Sequence, residues 1–136
     1  MKPYCMTVVK YVLPAMRVLI MNELIEEYGL RKVDVAEEMS LSPAAITQYI
    51  KGERGSGFLK EISESKEAIK KISEISRAIA RDEAPMDIVL EKMCEVCRLL
   101  RIEGVLCKLH KEESQDLKLS ECKLCLKEES ERGLII

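Results

Sequence analysis

Three pairs of potential metal-ligating residues share one spacing: Cys94-x2-Cys97, Cys107-x2-His110 and Cys122-x2-Cys125, all within 32 residues. Thiolates are soft ligands for zinc and for iron–sulfur clusters, and imidazole serves either as a borderline ligand. On a helix, residues three apart face the same side, so one such pair can share a metal ion. The spacing predicts one centre on Cys94, Cys97, Cys122 and Cys125, with Cys107 as alternative ligand and His110 a weaker candidate. That set has a two-knuckle form, although its 24-residue spacer exceeds that of the usual finger. Cys94, Cys97, Cys107 and His110 make a second possible zinc set. The surplus of cysteines over one zinc site favours an iron–sulfur cluster that senses redox state. The two outer CxxC pairs can also be disulfides of the hyperthermophile kind, or a redox couple. Cys97 taken singly reads as a small buried hydrophobe, and Cys5 has no assigned role.

A second group of residues suits recognition of nucleic acid. In the stretch from Leu30 to Gly52, Val33, Ala36 and Met39 recur at helical spacing and the pattern breaks at Ser40-Leu41-Ser42. A second short helix is expected there, with Ser42 as N-cap and Pro43 at its first position. Ile46, Tyr49 and Ile50 form its expected inner face, and Gly52 its stop. The outer face is then Pro43, Ala44, Ala45, Thr47, Gln48 and Lys51. Gln48 can pair bidentately with an adenine edge and Thr47 can bond a base or phosphate. The alanines can touch a thymine methyl, while Lys51 and Arg54 reach phosphates. An ordinary αα-hairpin would also place two short helices in sequence, but its solvated face would carry more charge than this one.

This stretch resembles the lambda-repressor-like helix-turn-helix of the xenobiotic-response-element family of regulators. The residues carrying the resemblance run from Val35-Ala36 through Leu41-Ser42 to Ile46-Thr47-Gln48-Tyr49 and Lys51-Gly52-Glu53-Arg54-Gly55. The resemblance implies that the second helix lies in the major groove, with contacts from Ser42, Ala44, Ala45, Thr47, Gln48 and Lys51. Archaeal regulators of this kind carry a similar Leu13-Pro14-Ala15-Met16-Arg17 stretch and often a cysteine-bearing C-terminal region. Some also join the motif to a thiamine-phosphate-binding domain, for which this chain is too short.

The elements that must position these residues follow from periodicity. Met1–Leu13 is either a small strand or a helical lead-in. Pro14 is expected to open a helix through Tyr28, with Leu13, Met16, Ile20, Leu24 and Ile25 inward and Gly29 beyond its end. Gly52, Gly55 and Gly57 make a turn-rich exit in which the backbone can approach a phosphate or simply reset direction. From Phe58 to Arg81 one long helix is expected. Phe58, Ile62, Ser65, Ile69, Ile72, Ser76 and Ile79 keep heptad spacing, and the stripe is expected to pack partly on its own domain and partly on a second copy, as the seam of a homodimer. Asp82–Pro85 breaks it, and a further helix shows Met86, Val89, Leu90, Met93, Val96, Cys97 and Leu100 on its apolar face. Beyond Gly104 the apolar periodicity is too weak to build a core, so a metal is expected to order the tail. The expected divisions are 1–57 for DNA binding, 58–103 for helical dimerisation and 104–136 for a metal or redox module.

Composition bounds the class. With 47% hydrophobic and 34% charged residues, the 136-residue chain reads as a globular all-α protein. Only 4% aromatic content makes its core aliphatic. Scarce Asn and Gln against abundant Ile, Glu and Lys match the bias of heat-adapted proteins. The net charge of −2 gives no general affinity for polyanions, but Lys51, Glu53, Arg54 and Lys60 leave a local net of +2 between Ser40 and Lys60. The apolar run Val12–Met21 contains Pro14 and Arg17 and is short for a membrane span, and no signal peptide is visible. A cytoplasmic chain is expected, and it shows no phosphate-binding loop or nucleophile–base pair. The expected function is a non-enzymatic, dimeric regulator of transcription on double-stranded DNA. A metal-binding assembly protein and a CxxC redox protein are the rivals.

Overall fold

A computed structural model of the chain describes residues 3–114, 122 and 124–126. The described residues are helical, with no strand among them. The lead-in is helix: α1 (Tyr4–Thr7), a π-helical turn (Val8–Val12) and α2 (Leu13–Glu26) run on without interruption. Pro14 therefore lies inside a helix and does not open one. A proline ring clashes with the carbonyl four residues back, here that of Lys10. The π turn widens the helix at that point, and the Leu13 N–H reaches back five residues to the Val8 carbonyl. The 23 residues from Tyr4 to Glu26 have the length and apolarity of a membrane span, with a mean hydropathy of 1.4. In this fold Val12, Ala15, Met16, Ile20, Met21 and Leu24 are instead buried in the core.

Two short helices follow, α3 (Lys32–Glu38) and α4 (Pro43–Ile50). Next comes the first departure from the expected elements. The segment Phe58–Arg81 is two helices, α5 (Leu59–Ser63) and α6 (Lys66–Ala80). Ser65 divides them. Its backbone is extended, and its hydroxyl accepts from the Ala68 N–H (3.3 Å) and donates to the Glu103 carboxylate (2.8 Å). Serine competes with the helix for its own hydrogen bonds, so it can start a new helix without help from Pro or Gly.

The heptad stripe packs within the chain. Phe58, Ile62 and Ile72 are fully buried and Ile69 and Ile79 half-buried, because α6 packs on both α2 and α7 (Met86–Ile102). The stripe packs largely on the chain's own core, as expected for part of it, with Ile69 and Ile79 left half-exposed. Ser76, also on the stripe, is buried with its hydroxyl satisfied by donating to the Ile72 carbonyl at 3.1 Å. On α7, Val89, Val96 and Leu100 are buried as expected, but Met86 and Leu90 are about half exposed, at 45% and 53%.

After Gly104 the chain forms α8 (Val105–Ser114), which packs on α1 and α7. Leu106 joins the same core as α2 and α6. The N-terminal helix clasps this end. Tyr11 donates a hydrogen bond to Glu113, Lys10 pairs with Glu113 at 3.5 Å, and the Arg101 guanidinium lies 4.2 Å from the centre of the Tyr4 ring. Residues 105–114, for which the sequence pointed to a metal, thus have packing contacts of their own with the rest of the chain. One contiguous core runs from Val12 to Leu106, across the expected divisions at 57 and 103.

Candidate nucleic-acid interface and the thiol groups

The α3–α4 unit is held by its turn. The Leu41 N–H returns to the Ala36 carbonyl at 2.8 Å, and Ser40 adopts a left-handed φ of 54°. That conformation stores on the order of 1–2 kcal/mol in a non-glycine residue. Ala36 is 4% exposed, where the two helices pack, and Leu41 is half-buried beneath the turn. Ser42 caps α4, its hydroxyl accepting from the Ala45 N–H at 3.1 Å. Ile46 and Tyr49 are buried, and Arg17 of α2 donates to the Tyr49 hydroxyl at 3.4 Å. The helix is thereby fixed from behind by its inner face.

Four residues of this unit differ from expectation. Val33 is 56% exposed and Val35 is the buried residue of α3, so the true inner pair is Val35–Ala36. The apolar spacing from Val33 to Met39 is genuine, but Val33 lies in the first turn and the core contact is made one turn later. Ala45 is 8% exposed and belongs to the inner face with Ile46 and Tyr49, so it is not on the outer one. Ile50, expected inside, is 43% exposed. A helix advancing 100° per residue turns Ile50 away from Tyr49 and onto the side of Pro43 and Thr47.

The exposed surface of α4 is thus Pro43, Ala44, Thr47 and Ile50, with Lys51 just beyond and Gln48 half-buried at its edge. Thr47 donates its hydroxyl to the Pro43 carbonyl at 3.1 Å, so its donor is used within the helix. The Gln48 side-chain oxygen is shielded from solvent without a hydrogen-bond partner. Arg54 is exposed in the loop that follows. Gly52, with φ +76°, ends α4 in open space. Gly55 does something else: a Cβ there would lie 2.5 Å from Val18 and 2.7 Å from the Pro14 carbonyl. The close backbone approach at Gly55 is therefore to α2.

The thiols fall into two groups. Cys94 is exposed on α7 while Cys97, one turn on, is turned partly inward. Burial pushes the Cys97 thiol up to about 11, with Cys94 adding to the effect and Arg101 opposing it. Cys107 on α8 is buried with its sulfur 4.0 Å from the Cys122 carbonyl. Cys125, in the turn Leu124–Leu126, is buried beside Arg101, and burial raises its thiol as well although the guanidinium opposes it. Cys107, Cys122 and Cys125 are neighbours, whereas Cys94 points to solvent, so the four-ligand set of the sequence is not gathered. Among the described residues no three His, Cys, Asp or Glu side chains converge as a metal ion requires. His110 is 8% exposed on the same side of α8 as Cys107.

A cleft of about 440 Å³ lies between α5 and the α7–α8 turn, lined by Phe58, Glu61, Glu64, Glu103, Lys108 and Glu112 among others. Ser65 also lines it, but its hydroxyl is committed to the α6 cap and to Glu103, so it is a structural group.

No protein-family model matches the chain, and no curated protein or solved structure is detectably similar to it.

Proposed function

We propose that the chain is a DNA-binding protein, that α3 and α4 are its helix-turn-helix, and that α4 enters the major groove. One observation carries this reading. The exposed side of a capped, back-braced helix holds only small or apolar groups, with Gln48 and Lys51 beside them. Solvated helix faces normally carry long charged side chains, whereas a helix in a groove must let base edges come close. Lys51 and Arg54, both exposed at the end of α4, suit the flanking phosphates. The function is regulation of transcription by occupancy of an operator, without catalysis, in the cytoplasm.

One such helix reads a half-site, and a symmetric operator needs two copies. Phe58, Ile62 and Ile72 of the stripe are buried within the chain, so a second copy would meet the half-exposed Ile69 and Ile79 or another surface. The thiols contribute no step to this reading, since the described ones do not form a four-ligand set. The experiment is selection from random duplexes by the full chain at low salt. Enrichment of one sequence motif is expected; a pool that stays random after repeated rounds contradicts the proposal.

A further inference from the structure

Resting on that reading of α4, we propose that Pro43, Thr47 and Ile50 form a strip that reads thymine methyl groups. These residues stand at i, i+4 and i+7, in one row along the helix, and all three are exposed. Ile50 is 43% exposed although Ile46 and Tyr49, on the other side, are buried. The Thr47 hydroxyl already donates to the Pro43 carbonyl at 3.1 Å, so the methyl is what remains for an outside partner. Ala44, exposed beside them, widens the carbon surface.

Among the groups that base pairs present in the major groove, the thymine C5-methyl is the apolar one. An apolar row on a groove-facing helix therefore selects A·T pairs whose thymine lies under it. Charge complementarity assigns the strip to DNA and not to an apolar protein surface. Lys51 and Arg54 are both exposed next to the row and outnumber Glu53, the exposed acid between them, so a polyanion suits this edge and an apolar partner does not. Gln48 stands half-buried at the edge of the row, and it could add hydrogen bonding to a base only by turning its shielded amide oxygen outward.

The test uses the full chain and its selected duplex, with each thymine replaced in turn by deoxyuridine. That change removes only the methyl and keeps every hydrogen-bonding edge. At one or more thymines the wild type is expected to lose about four-fold in affinity per methyl, the value of one buried carbon group. Ile50→Ala or Thr47→Ser should show no loss at the same base, because the partner carbon is already gone. Thr47→Ser keeps the hydroxyl, so its effect isolates the methyl. Specific binding that is indifferent to deoxyuridine at every thymine overturns the strip while leaving the DNA reading intact. A methyl effect that persists unchanged in both variants places the reader elsewhere and also overturns it. Failure to select any duplex removes the underlying reading instead. Sedimentation of Ile50→Ala covers the remaining occupant: conversion of a wild-type dimer to monomer makes the row a subunit contact and overturns the proposal.

Discussion

At the scale of single residues, Gln48 and Lys51 should fail in different ways. Gln48→Ala is expected to cost roughly 1–3 kcal/mol on the selected duplex and to relax preference at one base pair. Lys51→Ala should weaken all duplexes alike and reduce the salt slope by about one unit. Titrations of both variants across a salt series separate the two roles, and equal effects would contradict the assignment. The thiols give a second prediction. Cys5 and Cys94 are exposed, whereas Cys97 is held up to about 11 by burial and Cys125 is raised by burial too. Thiolate is the reactive form, so alkylation at neutral pH should label Cys5 and Cys94 first, read by peptide mass spectrometry. The folded Cys97 keeps its proton to about pH 11, while an unfolded thiol releases it near 9. Its contribution to stability is therefore intact below pH 9 and is lost as pH rises through that window. The Ser42 cap was legible because capping is local chemistry. Ala45 and Ile50 were not, because an alanine suits either face and an isoleucine in a short helix follows its angle, not its hydropathy.

At the scale of elements, the exit loop after α4 makes a contrast between two glycines. Gly55→Ala combines a left-handed φ with a Cβ 2.5 Å from Val18 and 2.7 Å from the Pro14 carbonyl. Strain plus overpacking should cost about 2–4 kcal/mol. Gly52→Ala faces open space and should lose only about 1 kcal/mol from its positive φ. Chemical denaturation of the two variants reads the difference, and equal losses would contradict the close approach of this loop to α2. Helix α7 and the α3–α4 pair were legible from periodicity. The break at Ser65 was not, because the apolar repeat runs straight through it; the serine caps α6 through the Ala68 N–H, and its second partner, Glu103, comes from 38 residues away. The lead-in was undecidable for a similar reason: a proline inside a helix depends on the π turn at Val8–Val12, which no local pattern announces.

At the scale of the whole molecule, the chain spends its apolar surface on one core that reaches from the N-terminal helix to α8. The fold class was legible in the apolar periodicity, whereas the use of each stripe was not. A heptad seam looks the same whether it meets α2 of its own chain or a second copy, and spacing alone cannot tell them apart. The cysteine spacing likewise gives sequence distance, while Cys94 and Cys125 end in different environments. A net charge of −2 leaves the proposed DNA interface dependent on the few cations around α4, so affinity should be lost steeply if that face is given the wrong charge. Ala44→Glu tests this most directly. The position is exposed in the first turn of α4, where a carboxylate suits the helix dipole, so the variant should fold with unchanged helicity and melting. Its carboxylate would face phosphates and base edges in the groove. Equilibrium anisotropy on the selected duplex should show a loss of roughly a hundred-fold, or about 2.7 kcal/mol, relative to the wild type. Binding by the folded variant at wild-type affinity would contradict the claim that α4 is the element that reads DNA.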